Sequence, residues 1–135
     1  MLTIERDVID QVRNVGDAAG LQRHLQAAVE LEHATIPPYL AAYYSIVPGR
    51  NVAAADILRS VVVQEMLHMT IAANLLNAIG GAPELDKPGF IPVFPGPLPM
   101  GIHSGLNVGL RRLTRRLVAD SFMVIEEPED PRPPP

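Results

Sequence analysis

Cysteine is absent from this 135-residue chain. Its absence excludes disulfides, thiolate metal sites and cysteine nucleophiles, so any metal must be held by glutamate, aspartate and histidine. Charge is scarce as well: 19% of residues are charged and 47% are hydrophobic. An excess of basic residues is also missing. The net charge of -4 and pI near 5.5 remove the electrostatic reason to expect nucleic acid as a partner. No apolar run reaches the roughly 18 residues a membrane helix needs. The N-terminal MLTIERDVIDQVRN is mixed in charge and lacks the apolar core of a signal peptide. These absences point to a soluble, cytoplasmic protein with no membrane partner. The length suits one domain spanning residues 1–135, and no internal repeat is present. The apolar excess implies a hydrophobic face made for a partner, such as a second copy of the chain.

What is present reads as helix. Ile4, Val8, Ile9 and Val12 recur at helical spacing, which predicts a short helix over 3–14. Asp17 is placed to cap a long helix from Ala18 to about Val47, whose apolar stripe includes Leu21, Leu25, Val29, Ile36, Leu40 and Tyr43. Pro48-Gly49 stops it, and Asn51 is placed to cap a second helix running to about Ile79, closed by Gly80-Gly81. Each helix would be about 40–45 Å long, and two antiparallel helices joined by a tight turn form the hairpin of a helical bundle. Pro37 and Pro38 lie inside the first of them. They predict a kink, or a break and restart; the alternative is that the helix ends at Ile36. Residues 82–101 hold six prolines, with Phe90, Ile91, Val93 and Phe94 among them. This composition predicts an extended segment whose aromatics pack across the helices. Thr114 is placed to cap a last helix over 115–126, and 128–135 read as a disordered tail.

Glu65 and His68 form a Glu-x-x-His pair on one face of the second helix, beside Val61, Val62, Met69 and Ala72. A carboxylate on an apolar face requires a proton, a cation or a metal. Glu32 lies in the same way on the first helix. It is about 17 residues before the turn and Glu65 about 16 after it, so equal rise per residue brings them level. One glutamate facing a Glu-x-x-His pair is half of a di-iron carboxylate ligand set, and this mixture of donors suits iron or manganese. No organic cofactor is evident. The structural alternative is a Glu–His hydrogen bond filling a polar pocket of the core. Tyr39 shares the face of Glu32 and, with His103, is a candidate to support the ligands from outside. Glu30 and His33 rotate away from Glu32 and are expected at the periphery, and His24 at the surface. Arg111, Arg112, Arg115 and Arg116 read as a solvated helix face.

The string from Glu30 to Leu40 (ELEHATIPPYL), that from Ser60 to Met69 (SVVVQEMLHM) and that from Asn74 to Gly81 (NLLNAIGG) together resemble the ferritin-like domain of iminophenylpyruvate dimer synthase-type proteins. Phe94 to Pro99 and Ile125 to Glu129 match its style, so the resemblance spans Leu21 to Glu129. It implies an all-α, ferritin-like fold with Glu32, Glu65 and His68 at the metal-ligand positions. It also implies a di-metal redox enzyme of the oxidase type acting on an amino-acid-derived imine or a related small molecule, with Phe90, Ile91 and Phe94 as lid or pocket wall. Domains of that family continue into a second helix pair that supplies further ligands, whereas this sequence stops at Pro135. Two expectations follow: a shortened chain that has lost its metal, or a homodimer whose two hairpins build one four-helix bundle. An iron-handling or storage protein without an organic substrate, and a metal-free structural module, are the other functional readings.

Overall fold

The computed structural model describes residues 6–103 and 105–127. Among these, α1 is Arg6–Arg13, α2 is Ala18–Tyr44 and α3 is Val52–Ala78. A 3-10 turn covers Pro99–Gly101, and α4 is a composite: α-helical at Arg115–Leu117, π-helical at Val118–Phe122 and α-helical again at Met123–Ile125. No strand occurs among the described residues, and α2 against α3 is the dominant packing. The segments 1–5 and 128–135, the expected tail included, fall outside the described residues.

Asp17 caps α2 as its chemistry suggests, its carboxylate accepting from Gly20 N at 2.7 Å. The helix then runs unbroken through Pro37 and Pro38, so the expected break does not occur. Each internal proline opposes a helix by about 3 kcal/mol. Burial of Ile36, Pro38, Tyr39 and Ala42 against the rest of the molecule offsets that cost. α2 ends at Tyr44, three residues before the expected Val47, because Ser45 takes over: its hydroxyl donates to the Ala42 carbonyl at 2.6 Å and accepts from Leu113 N at 2.7 Å. Asn51 precedes α3 in the left-handed region (φ 49°) and its side chain makes no capping bond, unlike the expectation. At the other end Gly81 N bonds Leu76 O and Gly80 N bonds Asn77 O, with Gly80 at φ +80°. This paired closure suits glycine because the left-handed step carries no Cβ penalty.

After α3 the proline-rich segment runs along one flank of α2, in the same direction as the helix. Gln26 holds it first, donating to Glu84 O at 3.1 Å and accepting from Glu84 N at 2.9 Å. Lys87 then pairs with Glu30, and Phe90 lies on the His33 ring with centroids 4.5 Å apart. Gly96 and Val108 exchange backbone hydrogen bonds of 2.9 and 2.8 Å, which closes a loop that buries Leu98 and Ile102 in the core. Ser45 catches Leu113, and α4 returns beside the C-terminal part of α2 at Tyr39, burying Leu117, Phe122 and Ile125. Thr114 caps this helix through its side chain, which accepts from Leu117 N at 3.0 Å.

Candidate metal centre

The antiparallel hairpin brings Glu32 of α2 to Glu65 and His68 of α3. One ligand atom from each of the three lies within 4.8 Å of the others. His68 Nδ1 is 3.5 Å from Glu32 Oε2 and 3.8 Å from Glu65 Oε1. The Glu65 side chain is 8% exposed, that of Glu32 17% and that of His68 52%, so the cluster opens to solvent on the α3 side. The Thr35 hydroxyl supports Glu65 from below: it lies 2.5 Å from Glu65 Oε2 and 2.8 Å from the Glu32 carbonyl, with one proton to share between them.

Two carboxyl groups in this setting cannot both ionise cheaply. Burial first, then the charge of Glu65, a hydrogen bond with Glu65 and the charge of Glu126 push the Glu32 carboxyl from 4.5 up to about 8. At neutral pH Glu32 therefore keeps its proton. Its Oε2 is buried and, despite the nearby imidazole, makes no hydrogen bond. An orphaned buried carboxylate oxygen beside a second carboxylate and an imidazole is a donor set that a divalent cation fits, since the cation removes both the repulsion and the unmet acceptor.

Glu126 does not stand out as a site residue in the sequence. It lies at the end of α4, accepts from Tyr39 Oη at 2.8 Å and adds its charge to the cluster. The available signal is its position four residues after Phe122 and next to Ile125, at the edge of the apolar face of a short helix. Tyr39, a candidate to support the ligands from outside, is packed in the core against Phe122 and donates to Glu126. Burial and then the charge of Glu126 raise its phenol well above the usual range. His103 sits in the left-handed region (φ 48°), and its buried Nε2 makes no hydrogen bond and does not join the Glu32 cluster. Glu30 and His33 do lie at the periphery, under the proline-rich segment, where burial lowers the His33 pKa from 6.5. The four arginines are exposed, and Arg116 pairs with Asp120.

Beside Tyr39 and Glu126 a groove of about 640 Å³ opens between α3 and α4. Phe90, Ile91 and Phe94 do not line it. Phe90 packs on Val29 and Ala72, Ile91 projects into solvent, and α4 supplies the wall. No described helix is long and apolar enough to cross a membrane. A family model described as Ferritin-like matches residues 25–134. No curated protein and no solved structure matches the chain.

Proposed function

This chain belongs to the ferritin-like family, and we propose that Glu32, Glu65 and His68 are its metal ligands, forming half of a carboxylate-bridged two-metal centre. The observation that carries the proposal is the Glu32–Glu65 pair. A buried and a partly buried carboxyl share one small volume with an imidazole, and burial and the charge of Glu65 raise the Glu32 carboxyl from 4.5 to about 8. Iron or manganese matches the oxygen-and-imidazole donor set. When bound, such ions supply electron transfer to oxygen or peroxide. The chain's own groups do the rest: Thr35 orients Glu65, Glu32 exchanges its proton for the cation, and His68 offers its ring from the open side.

Three side chains are too few for two ions. A second copy related by a two-fold axis would present the same three from the facing side. Support comes from α3, where Leu67, Ile71 and Leu75 are exposed around His68. The finer reading is a redox enzyme of the oxidase type related to iminophenylpyruvate dimer synthases, acting on an amino-acid-derived imine or similar small molecule. The three sequence strings favour it, as does an apolar groove next to Glu126.

Metal content and mass in solution test the proposal together. After reconstitution with ferrous iron, about one ion per chain in a dimer is expected. Loss of metal in Glu65→Ala and His68→Ala should accompany it. A chain that takes up no iron, or variants that keep full metal content, overturns the ligand assignment. A monomer with metal overturns only the second copy.

A further inference from the structure

We propose that the groove between α3 and α4 binds an elongated apolar carboxylate end-on, its head at Arg115 and its body lying along the groove towards Tyr39. The two ends of the groove differ. At the hairpin turn, Leu113 N donates to Ser45 Oγ at 2.7 Å and holds the start of α4 there, so that Thr114 and Arg115 line this end with Asn51. The other end is set where Tyr39 donates to Glu126 at 2.8 Å. Between them the walls are Ile57 and Val61 of α3 with Val118 and Phe122 of α4, and no charged side chain lines this stretch among the described residues. Asn51 and Val61 are ten positions apart, about 15 Å along α3. Arg115 and Glu126, the cation and the carboxylate of the lining, therefore lie about a groove length apart. Glu126 is engaged with Tyr39, and the proposal asks nothing further of it.

Three observations make the outer end an anion site. Arg116 is taken by Asp120 at 3.0 Å, whereas no ion pair or hydrogen bond holds Arg115 among the described residues. A guanidinium presents five donors in a planar fork that matches a carboxylate. Asn51 brings an amide that is not used to cap α3. Thr114 also borders a second cleft, lined by Arg111, Arg112 and Arg116, so positive charge collects at this mouth in a chain of net charge -4. The body of the ligand follows from the walls. Ile57 and Met123 are more than 60% exposed, and an apolar chain laid along the groove covers them. At about 1.3 Å per carbon, 15 Å holds roughly twelve carbons. The volume of about 640 Å³ is that of a small-molecule site. A helix 10–12 Å across fills roughly 500 Å³ per turn, so a second chain would place little more than one turn there. Binding of the carboxylate stands apart from the metal. That the bound molecule is the substrate of the centre rests on the function proposed above.

The test is calorimetric titration of the chelator-treated full chain with octanoate, decanoate, dodecanoate and tetradecanoate, each below its micelle concentration. Expected are saturation at about one molecule per chain and a gain of about threefold in affinity per added CH2 up to roughly twelve carbons, with no further gain at fourteen. Decanoate should bind about tenfold more tightly than 1-decanol. Arg115→Gln changes an exposed side chain and should bring decanoate down to the level of 1-decanol, while Arg115→Lys should keep a preference of at least about threefold. Ala119→Trp fills the groove from an exposed position of α4 and should weaken dodecanoate at least about tenfold, with far-UV circular dichroism unchanged. Equal binding of decanoate and 1-decanol, a decanoate affinity unmoved by Arg115→Gln, a gain that continues at fourteen carbons, full binding by Ala119→Trp, or no binding overturns the site. So does a dodecanoate affinity that weakens as chain concentration rises, because a second copy then occupies the groove. A chain that takes up no iron yet binds dodecanoate loses the metal function and keeps this site; one that takes up iron without binding dodecanoate does the reverse.

Discussion

Replacing Glu32 with glutamine separates the cost of the carboxyl pair from its use. In the metal-free chain the Glu32 carboxyl is raised from 4.5 to about 8. Between those values the folded chain keeps a proton that the unfolded chain has released. The contribution of Glu32 to stability is therefore fully present below pH 4.5 and is lost as pH rises towards 8. At about 1.4 kcal/mol per pH unit the upper bound is roughly 5 kcal/mol. Glu32 and Glu65 share the burden, so a loss of about 2–3 kcal/mol across pH 5 to 8 is the expectation. In a chain of this length that corresponds to a fall in Tm of roughly 5–10 °C. Glutamine has the shape of the protonated acid and does not titrate. Glu32→Gln should flatten the pH dependence, raise Tm at pH 8 and abolish iron-induced stabilisation. Thermal scans from pH 5 to 8, with and without ferrous iron, measure all three. A slope that survives in Glu32→Gln, or a wild-type chain with constant Tm over this range, refutes the reasoning.

His68→Ala removes a half-exposed ring, so the apo chain should change by no more than about 0.5 kcal/mol in urea unfolding while iron per chain drops. Thr35→Val keeps the volume but deprives buried Glu65 of its 2.5 Å neighbour, a loss of about 1–3 kcal/mol by the same measurement. Gly80→Ala forces a Cβ into φ +80° at the end of α3, and should cost about 1–2 kcal/mol, read as a lower Tm without change in metal content.

The hairpin and the meeting of Glu32 with Glu65 and His68 were legible because they depend on counting along two regular helices. Rise per residue is fixed, so position relative to the Pro48-Gly49 turn sets the level of each of the three side chains. The continuity of α2 through Pro37-Pro38 was not legible. Local rules break a helix there, and only burial of Ile36, Pro38, Tyr39 and Ala42 outweighs them. Glu126 escaped for a different reason. It meets Tyr39 across 87 positions, after a proline-rich segment whose path depends on separate contacts at Gln26, Glu30, His33 and Ser45. Periodicity carries no information across such a stretch. The left-handed Asn51 is similar: its type suits a cap, but its backbone turns the side chain away from that role.

The same path explains why the carboxylate cluster is one-sided. The proline-rich segment covers the flank of α2 that carries Gln26, Glu30 and His33, and α4 covers its C-terminal part at Tyr39. No described element does the same for α3, where Leu67, Ile71 and Leu75 stay about half exposed around His68. Burying what remains of three such side chains contributes about 1 kcal/mol each, or roughly 6 kcal/mol for a pair of chains. Association costs about 4–15 kcal/mol, so the apolar face alone leaves pairing marginal. Relief of the Glu32–Glu65 repulsion by a cation adds a term of similar size at neutral pH, and it is available only where ligands meet a metal. In the two-chain centre proposed above, metal uptake and pairing of the hairpins would therefore form one linked equilibrium, with the exposed ring of His68 at the point where the two processes join.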